Sequence, residues 1–129
     1  MASIFTKIIN RELPSYIIDE DDNYIAFLDV FPLAKGHTLV VPKTEVDYIF
    51  DLDDETYIGL QRFAKNVAKK LNNAIECERI GVAVIGLEVP HTHIHLVPIN
   101  NVSDIDFSRP KLKLSEEEFK TIQQKIIEA

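Results

Sequence analysis

Apolar residues recur at steps of three and four along two segments of the chain, and this spacing predicts two main helices. The first follows the acidic stretch Asp51 to Glu55, which offers N-caps and a negative first turn, and it ends near Asn73. The second runs from Ser115 to Glu128 and opens with a Ser-x-x-Glu capping box. The apolar face of each helix is expected to cover a core or a subunit interface.

Runs of apolar and β-branched residues between turn signals predict about five strands. Residues 16–19 and 23–30 are predicted to form a hairpin around an acidic turn. Three more strands are predicted at residues 37–43, 79–86 and 90–98. The run 79–86 is apolar at nearly every position, so we expect it to be buried on both faces.

A shorter helix is predicted near the start of the chain, where Ser3 offers a cap and Pro14 marks the end. These elements predict a compact α+β domain with a mostly antiparallel sheet of about five strands, a long central helix and a C-terminal helix. With 129 residues and 46% hydrophobic residues, one domain spanning 1–129 is expected.

Charge and cysteine content narrow the class of protein. The 21 acidic and 14 basic residues give a net charge of −7, which argues against a nucleic-acid polymer as partner because such binding depends on neutralising phosphates. A small nucleotide is compatible with this charge. Cys77 is the only cysteine, so no intrachain disulfide can form. No apolar run has membrane-spanning length, and we expect a cytoplasmic protein without a membrane partner.

Three of the four histidines lie in the predicted strand between Pro90 and Pro98. Because side chains alternate along a strand, His91, His93 and His95 are expected to share one face. A cluster of titratable groups at this spacing favours a functional site over a polar sheet face. Two chemistries remain open, a metal site completed by His37 or a carboxylate, and a histidine nucleophile acting on phosphorus.

The segment His91-Thr-His-Ile-His-Leu-Val97 resembles the His-x-His-x-His-x-x signature of the histidine triad (HIT) family of nucleotidyl hydrolases and transferases. Three further segments, Ser3–Ile9, Tyr24–Asp29 and Gly36–Lys43, are similar to family segments in the same order and at similar spacing. The resemblance is greatest to the Hint-like branch. It implies a small-molecule nucleotide substrate and a homodimer in which two sheets align into one.

The resemblance also implies roles for the four histidines. His93 would attack the α-phosphorus of a nucleotide conjugate and form a nucleotidyl-histidine. His91 and His37 would hold the tautomer of His93, and His95 would donate to the nonbridging phosphate oxygens. This scheme requires no metal and no cofactor.

A nucleotide pocket follows from the same resemblance. Asp29 would accept hydrogen bonds from both ribose hydroxyls, which suits a carboxylate just past an apolar strand; the alternative is that Asp29 caps the turn before Pro32. The base would lie against apolar side chains from two parts of the chain, which are Phe5, Ile8, Leu13, Phe27 and Val30.

The chain departs from the family pattern in several places. Ser3 and Thr6 stand where many relatives have a zinc-binding cysteine pair, so no zinc is expected there. The connection before the histidines is short and carries Glu88 in place of polar residues that contact the phosphate, which favours small or cationic leaving groups. A nucleotide-binding module with slow turnover is therefore a second hypothesis, and a metal-dependent hydrolase is a third. The predicted C-terminal helix stands where Hint proteins have a short aromatic tail that helps to select substrates. The substrate specificity of Hint proteins therefore cannot be assigned to this chain.

Overall fold

The structure is a computed structural model and describes residues 2–129. Over those residues it contains three α-helices and five β-strands, with two short 3₁₀ turns at Ile49–Asp51 and Val102–Ile105. In chain order they are α1 (Ile4–Ile9), β1 (Ile17–Glu20), β2 (Tyr24–Leu28), β3 (Thr38–Pro42), α2 (Asp54–Ala74), β4 (Arg79–Ala83), β5 (Ile94–Ile99) and α3 (Glu116–Ile127).

The strands form one antiparallel sheet in the order β1-β2-β3-β5-β4. The predicted α+β class with about five strands is confirmed, and so are the long central helix and the C-terminal helix. The predicted helix caps are also confirmed. The side chains of Ser3 and Ser115 accept hydrogen bonds from the first turns of α1 and α3, and Asp53 does the same for α2.

One face of the sheet is covered by α2 and α3, whose apolar stripes belong to the core. The stripe of α2 contributes Leu60, Phe63, Ala64, Val67 and Leu71, and α3 contributes Phe119, Ile122 and Ile126. From β5, Ile94 and Leu96 point into this same core and are at most 1% exposed. Because side chains alternate along a strand, His95 must point to the opposite face.

The opposite face carries a second apolar cluster, to which α1 contributes Phe5 and Ile8. Strand pairing explains how this face meets the histidines. Phe27 pairs with Leu39, and Leu39 pairs with His95, so these three side chains form a row across β2, β3 and β5. The sheet thereby places Phe27, which is predicted to line the base pocket, on the same surface as His95.

Two predictions about the last strands are wrong in part. The run 79–86 is not a buried strand, because β4 spans only Arg79–Ala83 and forms an edge of the sheet. Val82 is 62% exposed there. The apolar run therefore predicted a strand, but it did not predict that the strand lies at the edge of the sheet. The strand predicted at 90–98 begins only at Ile94, and His91 and His93 lie in the extended segment before it.

Within residues 2–129, none of the helices has both the length and the apolar character needed to cross a membrane.

Candidate active site

A cavity of about 480 Å³ opens on the face of the sheet that carries His95. Its walls come from α1, from the end of β2 and the turn after it, from the loop that precedes the histidines, and from the segment that precedes α3. The titratable residues that line it are Asp29, His37, Glu88, His93, His95 and Lys111.

The side chain of His93 is held in one tautomer by the backbone. Its Nδ1 lies 2.7 Å from the carbonyl oxygen of His91. A carbonyl oxygen only accepts, so Nδ1 carries the proton of the neutral ring and Nε2 keeps its lone pair. Nε2 of His93 has no hydrogen-bond partner among residues 2–129. Every buried side-chain polar atom of those residues does have a partner, so Nε2 is not buried and is open to the cavity that His93 lines.

His95 is held in the opposite tautomer through His37. The backbone N–H of Leu33 donates to Nδ1 of His37 at 3.0 Å, which leaves the proton of the neutral His37 ring on Nε2. That Nε2 lies 3.0 Å from Nδ1 of His95 and donates to it. His95 must then carry its own proton on Nε2. The cavity thus contains an imidazole lone pair from His93 and an imidazole N–H from His95, with ring centroids 4.9 Å apart.

Burial keeps these rings neutral, which is the condition for the tautomers above. Desolvation lowers the pKa of His93, and it lowers the pKa of His37 and His95 further, to about 3 and about 4. Charge repulsion adds to this effect: His95 and Lys111 lower the pKa of His37, and His93 and Lys111 lower the pKa of His95. At neutral pH the site therefore contains uncharged imidazoles.

His37 reaches this position through the tight turn that precedes β3. Gly36 adopts a φ of +94°, a backbone conformation that residues other than glycine rarely adopt. The N–H of His37 donates back to the carbonyl of Ala34 at 3.1 Å, and its carbonyl accepts from the N–H of Asp29 at 2.9 Å. The expectation that His37 holds the tautomer of His93 is wrong, because the His37 ring supports His95 instead.

His91 does not line the cavity that the other three histidines line. Its ring is fully buried and packs edge to face against Phe5, with centroids 5.9 Å apart, and the same Phe5 ring packs against His93 at 5.0 Å. The chain is not yet in β5 at this point, so strict alternation does not apply. The contact of His91 with His93 is made by its backbone carbonyl.

Asp29 lies at the cavity wall just past β2. Its Oδ1 accepts from the N–H of Phe31 at 2.9 Å, and its Oδ2 lies 3.6 Å from Nε2 of His37. Burial raises the pKa of Asp29 to about 6. The hydrogen bond from Phe31 and the positive charge of Lys111 lower this pKa but do not offset the effect of burial. Asp29 does cap the turn toward Pro32, as the alternative held, and it lines the cavity as well.

All the apolar residues predicted for the base pocket line this cavity. Phe5 and Phe27 are buried and meet edge to face, with centroids 5.5 Å apart. Leu13 and Val30 are exposed at the rim by 37% and 50%. The full predicted set is Phe5, Ile8, Leu13, Phe27 and Val30.

Two residues of the cavity wall, Phe107 and Lys111, were not predicted from the sequence. The ring of Phe107 packs edge to face against His95, with centroids 4.7 Å apart. Nζ of Lys111 donates to the carbonyls of Phe107 and Arg109, at 2.6 and 3.2 Å. Both residues come from a polar loop without periodicity, and a backbone bond from Leu112 to the turn after β2 brings that loop to the site. No sequence signal pointed to them.

One group of side chains could be considered as a cation site. Ligand atoms of Asp29, His37 and His95 lie within 4.8 Å of one another. A histidine ligand needs a lone pair toward the ion, but the Leu33 N–H occupies Nδ1 of His37 and forces the proton of the neutral ring onto Nε2. The position between Nε2 of His37 and Nδ1 of His95 is therefore occupied by a shared proton, and these residues do not fit a metal ion.

The structural zinc of many relatives does not fit this chain either. Ser3 and Thr6 bring hydroxyl groups where a zinc site would need thiolate, imidazole or carboxylate ligands. Oγ of Ser3 lies 2.7 Å from Nδ1 of His91, and Oγ1 of Thr6 donates to Glu45 at 2.6 Å. A hydrogen-bonded cluster occupies this position.

Comparison with known proteins agrees with the resemblance read from the motif. The HIT-domain family model matches residues 10–102, so the chain belongs to the HIT family. An uncharacterised HIT-like protein of Borreliella burgdorferi is 39% identical over 95% of this chain and 94% of its own length. The adenosine 5'-monophosphoramidase of Saccharomyces cerevisiae is 38% identical over 75% of this chain and 62% of its own length.

The fold is similar to that of solved HIT structures. A Hit-like protein of Bartonella henselae superimposes with a TM-score of 0.85 at 30% identity, covering 98% of this chain and 94% of that one.

Proposed function

We propose that this protein is a nucleotide-binding hydrolase or transferase that acts at the α-phosphorus of nucleoside phosphoramidates or related nucleotide conjugates. The observation that carries the proposal is the pair of opposite tautomers in one cavity. His93 offers a lone pair on Nε2, and His95 offers an N–H on its own Nε2. A nucleophile beside a donor is the arrangement that attack on a phosphoryl group requires.

The reaction proceeds in two displacements. Nε2 of His93 attacks the α-phosphorus, the bond from phosphorus to the leaving group breaks, and the leaving group departs with the electron pair and takes up a proton. Water then attacks phosphorus, the phosphorus–nitrogen bond breaks, and the nucleoside monophosphate is released. Another acceptor in place of water gives transfer.

The remaining groups bind and orient the nucleotide. The carboxylate of Asp29 accepts the ribose hydroxyls, and the edge-to-face pair Phe5 and Phe27 forms the floor of the base pocket. His95 donates to a nonbridging oxygen, and His37 maintains that donor. His91 contributes through its carbonyl oxygen, which holds His93.

The proposal includes a homodimer formed through β4. This edge strand exposes unpaired backbone groups together with apolar side chains, and Leu87 in the following loop is 88% exposed. Pairing of two β4 edges would align two sheets into one. Sedimentation of the wild type should give twice the 14.7 kDa chain mass. Val82→Lys should give the monomer, and Ile58→Lys, at an exposed position of α2, should leave the dimer intact.

A cytoplasmic location is also proposed, on the evidence of the single cysteine.

The deciding experiment is intact-protein mass spectrometry after a brief reaction and a quench in mild alkali, in which phosphohistidine survives. The donors are adenosine and guanosine phosphoramidates and dinucleoside polyphosphates. We expect a nucleoside-monophosphate adduct on the wild type and none on His93→Ala. If no donor gives an adduct or free monophosphate while the monophosphate still binds, the enzyme proposal is wrong and the chain is a nucleotide-binding module.

A further inference from the structure

The ring of His91 joins two distant parts of the chain, although it lies outside the cavity. Its Nε2 lies 2.8 Å from the carbonyl oxygen of Pro42 at the end of β3, and its Nδ1 lies 2.7 Å from Oγ of Ser3. The carbonyl only accepts, so Nε2 carries the proton of the neutral ring and Nδ1 accepts from the Ser3 hydroxyl. The ring is fully buried, and both bonds are therefore protected from water.

Ser3 is itself held by two further hydrogen bonds, and a third joins their partners. Its Oγ accepts from the N–H of Thr6 at 3.1 Å, and its own N–H donates to Oε1 of Glu45 at 2.7 Å. The same carboxylate oxygen accepts from Oγ1 of Thr6 at 2.6 Å. Oγ of Ser3 also lies 3.4 Å from Oγ1 of Thr6, but its 2.7 Å contact with Nδ1 of His91 is much shorter and takes the hydroxyl proton. Glu45, Thr6 and Ser3 thus form one cluster, which we call the Ser3 cluster.

The bonds of His91 continue toward the reacting group. Its carbonyl oxygen accepts from Nδ1 of His93 at 2.7 Å, and this bond leaves the lone pair of His93 facing the cavity. The N–H of Thr92 belongs to the same peptide and donates to Val46 at 2.7 Å, and the N–H of His91, in the preceding peptide, donates to Val89 at 2.8 Å. A ring tied at both nitrogens adds to this support, because it fixes the side-chain torsions and so anchors the Cα from which the carbonyl extends.

α1 couples the cluster to His93 by a second route. Ser3 caps the helix, and Phe5, two residues on, packs edge to face against the His93 ring with centroids 5.0 Å apart. A shift of α1 would therefore disturb both the hydrogen bond behind His93 and the aromatic contact beside it.

We propose that Ser3 is a positioning residue for His93 and acts through His91, with Glu45 and Thr6 holding the Ser3 hydroxyl. The Ser3 cluster thereby fixes the nucleophile with hydrogen bonds alone. The consequence for rate rests on the proposed function, in which His93 attacks phosphorus. The consequence for the tautomer of His93 does not depend on it.

The test uses Ser3→Gly, because glycine is nearly as good an N-cap as serine and the variant removes the hydroxyl with little loss of helix stability. Ser115→Gly is the matched control, since Ser115 caps α3 with the same 3.1 Å bond and lies in another helix. Glu45→Gln, at an exposed position, tests the outer part of the cluster without a change in the core.

Two measurements are made on each variant. In single-turnover reactions, Ser3→Gly should form the adduct about tenfold more slowly or worse, as expected for loss of a residue that orients a reacting group. Its substrate affinity should stay within about twofold, because Ser3 does not line the cavity. Nitrogen NMR of the histidine rings should show a single Nδ1–H tautomer for His93 in the wild type and a mixture in Ser3→Gly. Ser115→Gly should match the wild type, and Glu45→Gln should show a smaller change in the same direction.

Wild-type rates and spectra in Ser3→Gly would overturn the inference, as would an equal loss of rate in Ser115→Gly. If the wild type forms no adduct with any donor, the proposed function fails by itself, and the His93 spectra still decide whether Ser3 positions the ring. If Ser3→Gly does not fold, the folded variant Glu45→Gln decides, and an unchanged spectrum and rate there overturn the inference.

Discussion

Nε2 of His37 lies 3.0 Å from Nδ1 of His95, and this single bond determines that His95 presents an N–H to the cavity. The bond has its direction because the backbone of Leu33 already donates to the other nitrogen of His37. A peptide N–H cannot reverse its role, so the orientation of both rings is set by the turn that leads into β3.

His37→Leu should remove this control over His95. We expect kcat to fall by about tenfold or more, and the free energy of unfolding to fall by about 1–3 kcal/mol because the Leu33 N–H loses its acceptor. His37→Gln should be milder, since an amide both accepts and donates. Steady-state kinetics and urea unfolding measure the two effects. Equal kcat for His37→Leu and the wild type would contradict the role given to the His37–His95 bond.

Nucleoside binding should depend on pH through Asp29. Burial raises the pKa of this carboxyl to about 6, so acidification through pH 6 neutralises it and removes the charged acceptor for the ribose. Affinity should therefore rise as the pH increases through about 6 and level off above it. Calorimetry with a nucleoside is the appropriate measurement, because a phosphate group itself titrates near pH 6.

Asp29→Asn is the control for that profile. The amide still accepts a hydrogen bond but has no charge to lose, so binding should be weaker and flat with pH. A pH-dependent profile that persists in Asp29→Asn would assign the titration to another group.

Lys111→Gln should shift the same profile upward in pH. The positive charge of Lys111 lowers the pKa of Asp29, and its removal leaves burial with less opposition. The midpoint of nucleoside binding should rise above about 6. Lys113→Gln, two residues on and exposed, should leave the midpoint in place. A common shift in both variants would indicate a general effect of net charge and not a local one.

Glu88→Gln should change the preference among leaving groups. Glu88 lines the cavity, and its negative charge opposes an anionic leaving group. We expect turnover of dinucleoside polyphosphates relative to phosphoramidates to increase by about fivefold, which corresponds to about 1 kcal/mol for one solvent-screened charge pair. Competition between the two substrates in one reaction measures the ratio. Glu117→Gln on the exposed side of α3 should not change it.

Periodicity and capping residues were sufficient to predict the three helices and the buried faces of α2 and α3. The stripe of α2 and the capping box of Ser115 are local patterns, and local patterns are determined by the residues that carry them. A strand was also predicted at 79–86, where β4 occupies Arg79–Ala83, but its place at the edge of the sheet was not predicted. An apolar run has the same appearance at the centre and at the edge of a sheet, and strand order depends on pairings far apart in the chain.

The same division applies to the candidate site. The histidine spacing and the family resemblance indicated His93, His95, Asp29 and the aromatic wall, and these residues meet in one cavity. The separation of His91 from that cavity was not predictable, because it depends on where regular strand geometry begins. Nor was the arrival of Lys111 from a loop with no sequence signal.

Local patterns in the sequence thus predict the helices, their caps and the residue types available for phosphorus chemistry. Which nitrogen of His93 and of His95 faces the cavity is set only when the chain folds. The tautomers depend on a backbone N–H at Leu33 and a carbonyl at His91. Every residue except proline carries both of these groups, so the sequence contains no signal for their direction until the chain has folded.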